Sequence, residues 1–159
     1  GRITCDSEVD VGTTFTIYLP ISEITRVANT DAVTQELVDG QGRKVLVIDD
    51  DKQVGMVTCN VFKTLHYTVD FCDNMLDGIE KYKESGHDII VLDYQMDDIN
   101  GIESYYMFKE ISPHIKAVLY TGDLYSDDIR SFSEKESVPL VYKPLDLYQL
   151  STTLIALHG

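Results

Sequence analysis

Val45-Leu46-Val47-Ile48-Asp49-Asp50-Asp51 is the stretch that decides the fold. Four apolar residues without alternation read as a strand buried on both faces, the kind that parallel sheets contain. The three carboxylates mark the point where that strand leaves the core. Val54, Val57, Val61 and Leu65 follow at helical spacing. The same alternation then recurs. Thr68-Val69-Asp70-Phe71 reads as a weaker strand, and Asp73 or Asn74 as the cap of a helix carrying Met75, Ile79 and Tyr82. Asp88-Ile89-Ile90-Val91-Leu92 is the next strand, and residues 102–110 form a helix stopped before Pro113. Residues 116–120 read as a strand, and 126–136 as a polar helix with Asp127 and Asp128 in its first turn, where the helix dipole favours them. Leu140-Val141-Tyr142 is a short strand, and Leu147, Leu150, Leu154 and Leu157 are the apolar stripe of a last helix. Five βα repeats predict the α/β class, with a doubly wound five-stranded parallel sheet and helices on both faces.

Working outward, residues 1–20 read as a short β-hairpin. Ile3-Thr4-Cys5 leads to a polar turn through Gly12, then Thr14-Phe15-Thr16-Ile17-Tyr18-Leu19, ended by Pro20. Two strands alone are marginal in water, so this extension needs other structure to pack on. Residues 21–43 read as a polar linker punctuated by Gly40 and Gly42, with a weak helical candidate at 30–38 capped by Asn29 or Thr30. The expected division is therefore 1–20, 21–43 and 44–159.

Composition bounds the function. The 159 residues carry 13 Lys+Arg against 27 Asp+Glu, a net charge of −14. So acidic a chain is a poor match for nucleic acid, whose phosphates want Lys and Arg, and is repelled by anionic membranes. Cys5, Cys59 and Cys72 are widely spaced, with no CxxC, which argues against a disulfide framework or zinc site and fits a reducing cytoplasm. No apolar run approaches a membrane span, and no signal peptide is visible.

In a parallel sheet all strand C-termini lie on one edge, where ligands bind. Asp49-Asp50-Asp51 follows the first apolar run, Asp93 the third, Thr121-Gly122 the fourth and Lys143-Pro144 the fifth. From Asp50 to Asp93 is 43 residues, then 28 to Thr121 and 22 to Lys143, which suits two βα units and then one each. Converging carboxylates cannot all stay ionised without a counter-charge. Hard oxygen donors suit Mg²⁺, with Mn²⁺ the second ion of that class. A metal, a lysine and a hydroxyl together stabilise a phosphoryl group, and a carboxylate can attack phosphorus. Taken singly, each feature has a plainer reading: Asp51 as a helix cap, Thr-Gly as a turn, Lys-Pro as a loop. Their joint order at consecutive strand ends favours a Mg²⁺-dependent site in which an Asp accepts a phosphoryl group.

With these residues in place, residues 44–159 resemble the receiver domain of two-component response regulators, a flavodoxin-like (βα)5 fold. Val47-Ile48-Asp49-Asp50 looks like its acidic pair. Val91-Leu92-Asp93-Tyr94-Gln95-Met96 resembles its phosphoacceptor loop, and Asn100-Gly101 the end of that motif. Thr121 is similar to the switch hydroxyl and Lys143-Pro144 to the conserved-type lysine with its proline. The resemblance implies that Asp93 is phosphorylated by a phosphohistidine donor, either a kinase dimerisation domain or a His-containing transfer domain. It implies that Asp50, Asp93 and the Gln95 backbone carbonyl ligate Mg²⁺ directly, with Asp49 acting through water. Thr121 and Lys143 would hold phosphoryl oxygens, and the Lys143–Pro144 peptide would be cis. In this picture output runs through the fourth helix, fifth strand and fifth helix. Two positions depart from the pattern: Asp97 stands where the family often has Pro, and Leu140 where it often has an aromatic switch.

Residues 1–20 resemble the last strands of a sensor histidine kinase ATP-binding domain, through Gly12-Thr13 and Tyr18-Leu19-Pro20, although Asp10 replaces the motif's first Gly. Together the parts look like the C-terminal end of a hybrid sensor histidine kinase. The parent would then be a protein-histidine kinase whose catalytic core is missing from these residues. His66, His87, His114 and His158 have no histidine-box context, and Tyr105-Tyr106 read as packing residues. A competing reading is a haloacid-dehalogenase-type phosphohydrolase using Asp49-x-Asp51, Thr121 and Lys143. It leaves Asp93 without a role and lacks a final acidic motif. A flavin site would need a Ser/Thr- or Gly-rich first loop, which three aspartates replace.

Overall fold

A computed structural model of the chain describes residues 1–19 and 37–158. The expected linker helix at 30–38 falls almost wholly outside the described residues. The chain divides into two compact units, Gly1–Thr34 and Gln35–Gly159.

In the first unit β1 (Arg2–Glu8) pairs antiparallel with β2 (Gly12–Tyr18). The turn is Val9-Asp10-Val11, less polar than expected, with Asp10 at φ 62° and the Val11 N–H donating to the Glu8 carbonyl at 3.2 Å. The register sets Ile3 opposite Ile17 and Cys5 opposite Phe15. Because strand side chains alternate, these four share one face, while Thr4, Thr16, Asp6 and Thr14 share the other. Ile3, Phe15 and Ile17 are all exposed.

The second unit alternates strand and helix: β3 (Lys44–Ile48), α1 (Lys52–Thr64), β4 (Thr68–Cys72), α2 (Met75–Ser85), β5 (Ile89–Asp93), α3 (Gly101–Ile111), β6 (Ala117–Thr121), α4 (Asp127–Glu136), β7 (Leu140–Tyr142) and α5 (Leu147–His158). The five strands are parallel in the order β4-β3-β5-β6-β7. The central strands are buried throughout because both their faces are covered by helices. On one face Val45, Val47, Ile89, Val91, Val118 and Tyr120 meet Phe62 of α1 and Leu150 and Leu154 of α5. On the other, Leu46, Ile48, Ile90, Leu92 and Leu119 meet Met75 of α2, Phe108 of α3 and Phe132 of α4.

Helix starts follow the local chemistry. Asp51 caps α1, accepting from the N–H groups of Gln53 and Val54, as its plainer reading predicts. Asn74 caps α2, Ser126 caps α4, and Asn100 with Glu103 forms a reciprocal capping box on α3. The end of the expected linker behaves differently. Val38 is buried in the second unit's core, and its N–H donates to the Ser151 hydroxyl at 2.6 Å. Gly40 and Gly42 donate to the carbonyls of Leu65 and His66.

Strand connectivity reverses between β3 and β5. Their following loops therefore run to opposite faces of the sheet and leave a crevice at the strand ends. Asp49, Asp50 and Asp93 occupy its two sides.

Candidate functional site

The pleat explains how the carboxylates meet. Val45, Val47 and Asp49 alternate onto one face of β3, and Ile89, Val91 and Asp93 onto the same face of β5. Asp49 and Asp93 are 1% and 3% exposed. Asp50, the next residue, leans toward the opposite loop, where its Oδ2 accepts from the Asp97 N–H at 2.8 Å. One carboxylate oxygen from each of Asp49, Asp50 and Asp93 lies within 4.8 Å of the others.

Lys143 supplies the counter-charge. Its Nζ lies 2.9 Å from Asp93 Oδ1 and 3.7 Å from Asp49 Oδ2. Its backbone N–H donates to the Thr121 carbonyl at 2.8 Å, and the Lys143–Pro144 peptide is cis as expected. Burial works against the lysine's charge, but the hydrogen bond to Asp93 and the charges of Asp93 and Asp49 outweigh it, holding Lys143 above its ordinary range. One ammonium does not neutralise three carboxylates. Asp49 is pushed up to about 6, chiefly by burial and then by the Asp93 charge. Asp93 is also raised by burial, against the pull of Lys143 and the Gln95 backbone hydrogen bond. Asp49 Oδ2 is buried with no hydrogen-bond partner, and Asp93 Oδ1, equally buried, faces the Lys143 ammonium at 2.9 Å, which leaves lone pairs on both oxygens uncovered. Buried acceptors left over in this way, on hard oxygen donors, fit a small divalent cation.

Thr121 is fully buried at the end of β6, and its Oγ1 accepts from the Asp123 N–H at 3.0 Å. Gln95 lies on the exposed loop after β5, beside the Gly122–Tyr125 loop. Gly101 closes the floor. A Cβ there would stand 2.6 Å from the Asp93 carbonyl and 2.5 Å from Leu119 Cδ1, so only glycine lets α3 start this close to the end of β5. The structure thus brings Asp49, Asp50, Asp93 and Lys143 together, with Thr121 and Gln95 at the margin.

Asp51 does not join them, because its side chain is engaged as the α1 cap. The pair a dehalogenase-type hydrolase needs, Asp49 with a free Asp51 carboxylate, is therefore split. Leu140 stands half-buried against the α2–α4 side of the core, where the resemblance sought an aromatic. The aromatic near the site is instead Tyr120, whose ring centroid lies 4.9 Å from Lys143 Nζ. Sequence reasoning missed it; the signal was strand parity, which places position 120 on the same face as 93. His87 is a core histidine, with Nε2 2.9 Å from Asp70 Oδ2. Tyr105 and Tyr106 pack on Phe132. The three cysteines are free. No helix among the described residues is long and apolar enough to cross a membrane.

Comparison with known proteins agrees with this fold. The profile of the "Response regulator receiver domain" family matches residues 45–155. The sensor kinase CckA of Brucella abortus is 31% identical over 165 residues, covering 97% of this chain and 17% of the kinase. The chain thus spans less than a fifth of that relative's length. Among solved structures, the chemotaxis protein CheY4 of Vibrio cholerae superposes with a TM-score of 0.66 at 19% identity, over 72% of this chain and 98% of that one. TrrA of Thermotoga maritima, solved in complex with Mg²⁺ and a beryllofluoride, gives 0.63 at 21% identity, over 72% and 98%.

Proposed function

The chain belongs to the response regulator receiver domain family, and from this premise we propose that residues 44–159 accept a phosphoryl group on Asp93. The observation that carries the reading is the position of Asp93: buried, 2.9 Å from the Lys143 ammonium, and within 4.8 Å of two further carboxylates. In transfer from phosphohistidine, an Asp93 carboxylate oxygen forms the new P–O bond. The P–N bond breaks, and its electron pair stays on the histidine nitrogen, which takes up a proton. From acetyl phosphate, the P–O bond to acetate breaks instead and acetate leaves as the anion.

Lys143 holds a phosphoryl oxygen and offsets charge in the transition state, since its ammonium already touches the acceptor. Thr121 supplies a hydroxyl from the neighbouring strand. Asp49, Asp50, Asp93 and the Gln95 carbonyl are the groups that would hold Mg²⁺, which supplies charge neutralisation to the incoming phosphoryl group. Nothing in the donor set selects Mn²⁺. The Mg²⁺–beryllofluoride complex of TrrA supports this assignment by analogy.

The hairpin supports a parent of the hybrid sensor kinase type. Its Ile3–Ile17 and Cys5–Phe15 pairs form an apolar face suited to the edge of a larger domain, and the CckA alignment covers 97% of this chain. The proposed division is a kinase-domain remnant at 1–20, a linker from 21 and a receiver to 159. The burial of Val38 supports a linker that ends before residue 38. The proposed donor is a phosphohistidine in a kinase dimerisation domain or a His-containing transfer domain, and the proposed setting is cytoplasmic.

The test is phosphate incorporation from ³²P-labelled acetyl phosphate with Mg²⁺. Stoichiometric labelling, lost in Asp93→Asn, supports the reading. Equal labelling of both proteins refutes it.

A further inference from the structure

Lys143 follows β7, yet its ammonium rests on Asp93 at the end of β5. Strand β6 lies between them. Neighbouring strands are about 4.8 Å apart, so the side chain must cross about 10 Å of sheet edge. The residue it crosses is set by register. Tyr120 pairs with Asp93 on one side and with Val141 on the other. It shares their face of the sheet, in the core cluster that holds Val91, Val118 and Val141. Its ring lies beneath the ammonium, with the centroid 4.9 Å from Nζ, inside the range of a cation–π contact.

The ring is itself held firmly. Tyr120 is 5% exposed, in the core cluster that also holds Phe62 of α1 and against which Leu145 of the loop after β7 packs. The platform is thus wedged between α1, β6 and that loop. Lys143 has no comparable fixture: its side chain is partly exposed, and among the described residues its other ionic contact is Asp49 at 3.7 Å.

We propose that Tyr120 is a positioning residue, a rigid aromatic bridge over which the Lys143 side chain is laid to reach Asp93. This deepens the phosphoacceptor reading and rests on it for its effect on rate. An aliphatic residue at position 120 would fill the core but give the ammonium no π-face, so Lys143 would sample solvent. Phenylalanine would keep the face and lose only the phenol's hydroxyl.

The experiment compares Tyr120→Phe and Tyr120→Leu in the full chain by two readouts. One is the NMR order parameter of the Lys143 Cε methylene in the unphosphorylated protein. The other is the rate of phosphorylation from acetyl phosphate, also measured in a Lys143→Ala background. Tyr120→Leu should lower the order parameter and slow phosphorylation about tenfold, the scale of a partly desolvated cation–π contact. Tyr120→Phe should keep both near wild type even if its melting temperature falls. In the Lys143→Ala background, Tyr120→Leu should cost no further rate, because the two residues act as one unit. An unchanged Lys143 order parameter in Tyr120→Leu overturns the proposal, as does a full additional loss of rate on top of Lys143→Ala. If Tyr120→Leu frees the lysine but Lys143→Ala phosphorylates normally, the bridge stands and it is the role of Lys143 in phosphoryl transfer that fails.

Discussion

Adding Mg²⁺ should stabilise the protein, and the gain should fade in acid in step with Asp49. Asp49 is about 6 in the folded protein against 3.8 for the free side chain. Between those values the folded state keeps a proton that the unfolded state has released. Metal-free stability contributed by Asp49 therefore falls as pH rises from about 4 to about 6, and is flat above. Two units at about 1.4 kcal/mol each put the loss near 3 kcal/mol, an order-of-magnitude figure. A cation on the ionised site offsets it. With Mg²⁺ at about one hundred times its Kd, stabilisation is about 2.7 kcal/mol, or roughly 10 °C in Tm for a domain of this size. Near pH 5 the metal must first displace the Asp49 proton, which weakens its apparent affinity about elevenfold and cuts the gain to about 1.4 kcal/mol. The assay is a thermal melt with and without Mg²⁺ at about pH 5 and pH 7.5, on wild type and Asp49→Asn. The Asn variant should lose Asp49's share of the acid-range fall in metal-free stability and keep the share that the likewise raised Asp93 contributes. A Tm indifferent to Mg²⁺ at the higher pH, or the same shift at both pH values, refutes the reasoning.

Other consequences are as specific. Gly101→Ala puts a methyl 2.6 Å from the Asp93 carbonyl, so α3 must back away; a loss of about 1–3 kcal/mol by denaturant melt and slower phosphorylation are expected. Asp51→Ala removes the α1 cap and should cost about 1 kcal/mol while the Mg²⁺-induced Tm shift persists. Asp50→Asn retains an acceptor for the Asp97 N–H, so the fold should hold while Mg²⁺ affinity by titration drops about tenfold, about 1.4 kcal/mol. Phe108→Ala empties a fully buried site between α3 and the sheet and should cost about 3–5 kcal/mol.

Much of this was legible in the chain itself, for physical reasons. Continuous apolar runs such as Val45–Ile48 announce strands buried on both faces, and the carboxylates at their ends announce the edge where ligands gather. Asp51 was readable as a cap because Asp before a helical period has few other roles. Other features depend on contacts far apart in sequence. Val38 looks like linker until Ser151, 113 residues away, accepts its N–H. The Asp97–Asp50 hydrogen bond spans 47 residues and follows from loop paths that no local pattern encodes. Tyr120 lies between these extremes. Inside an apolar run a tyrosine reads as core, and only the register against Asp93 and Val141 reveals what lies above it.

Of the three carboxylates that meet at the sheet edge, Asp93 is the one proposed to take the phosphoryl group. Borohydride reduces an aspartyl phosphate to homoserine, so reduction after treatment with acetyl phosphate and Mg²⁺, followed by peptide mass spectrometry, reads the position directly. Homoserine is expected at residue 93 and at neither 49 nor 50. Homoserine at 49 or 50, or unmodified aspartate at all three positions, contradicts that assignment.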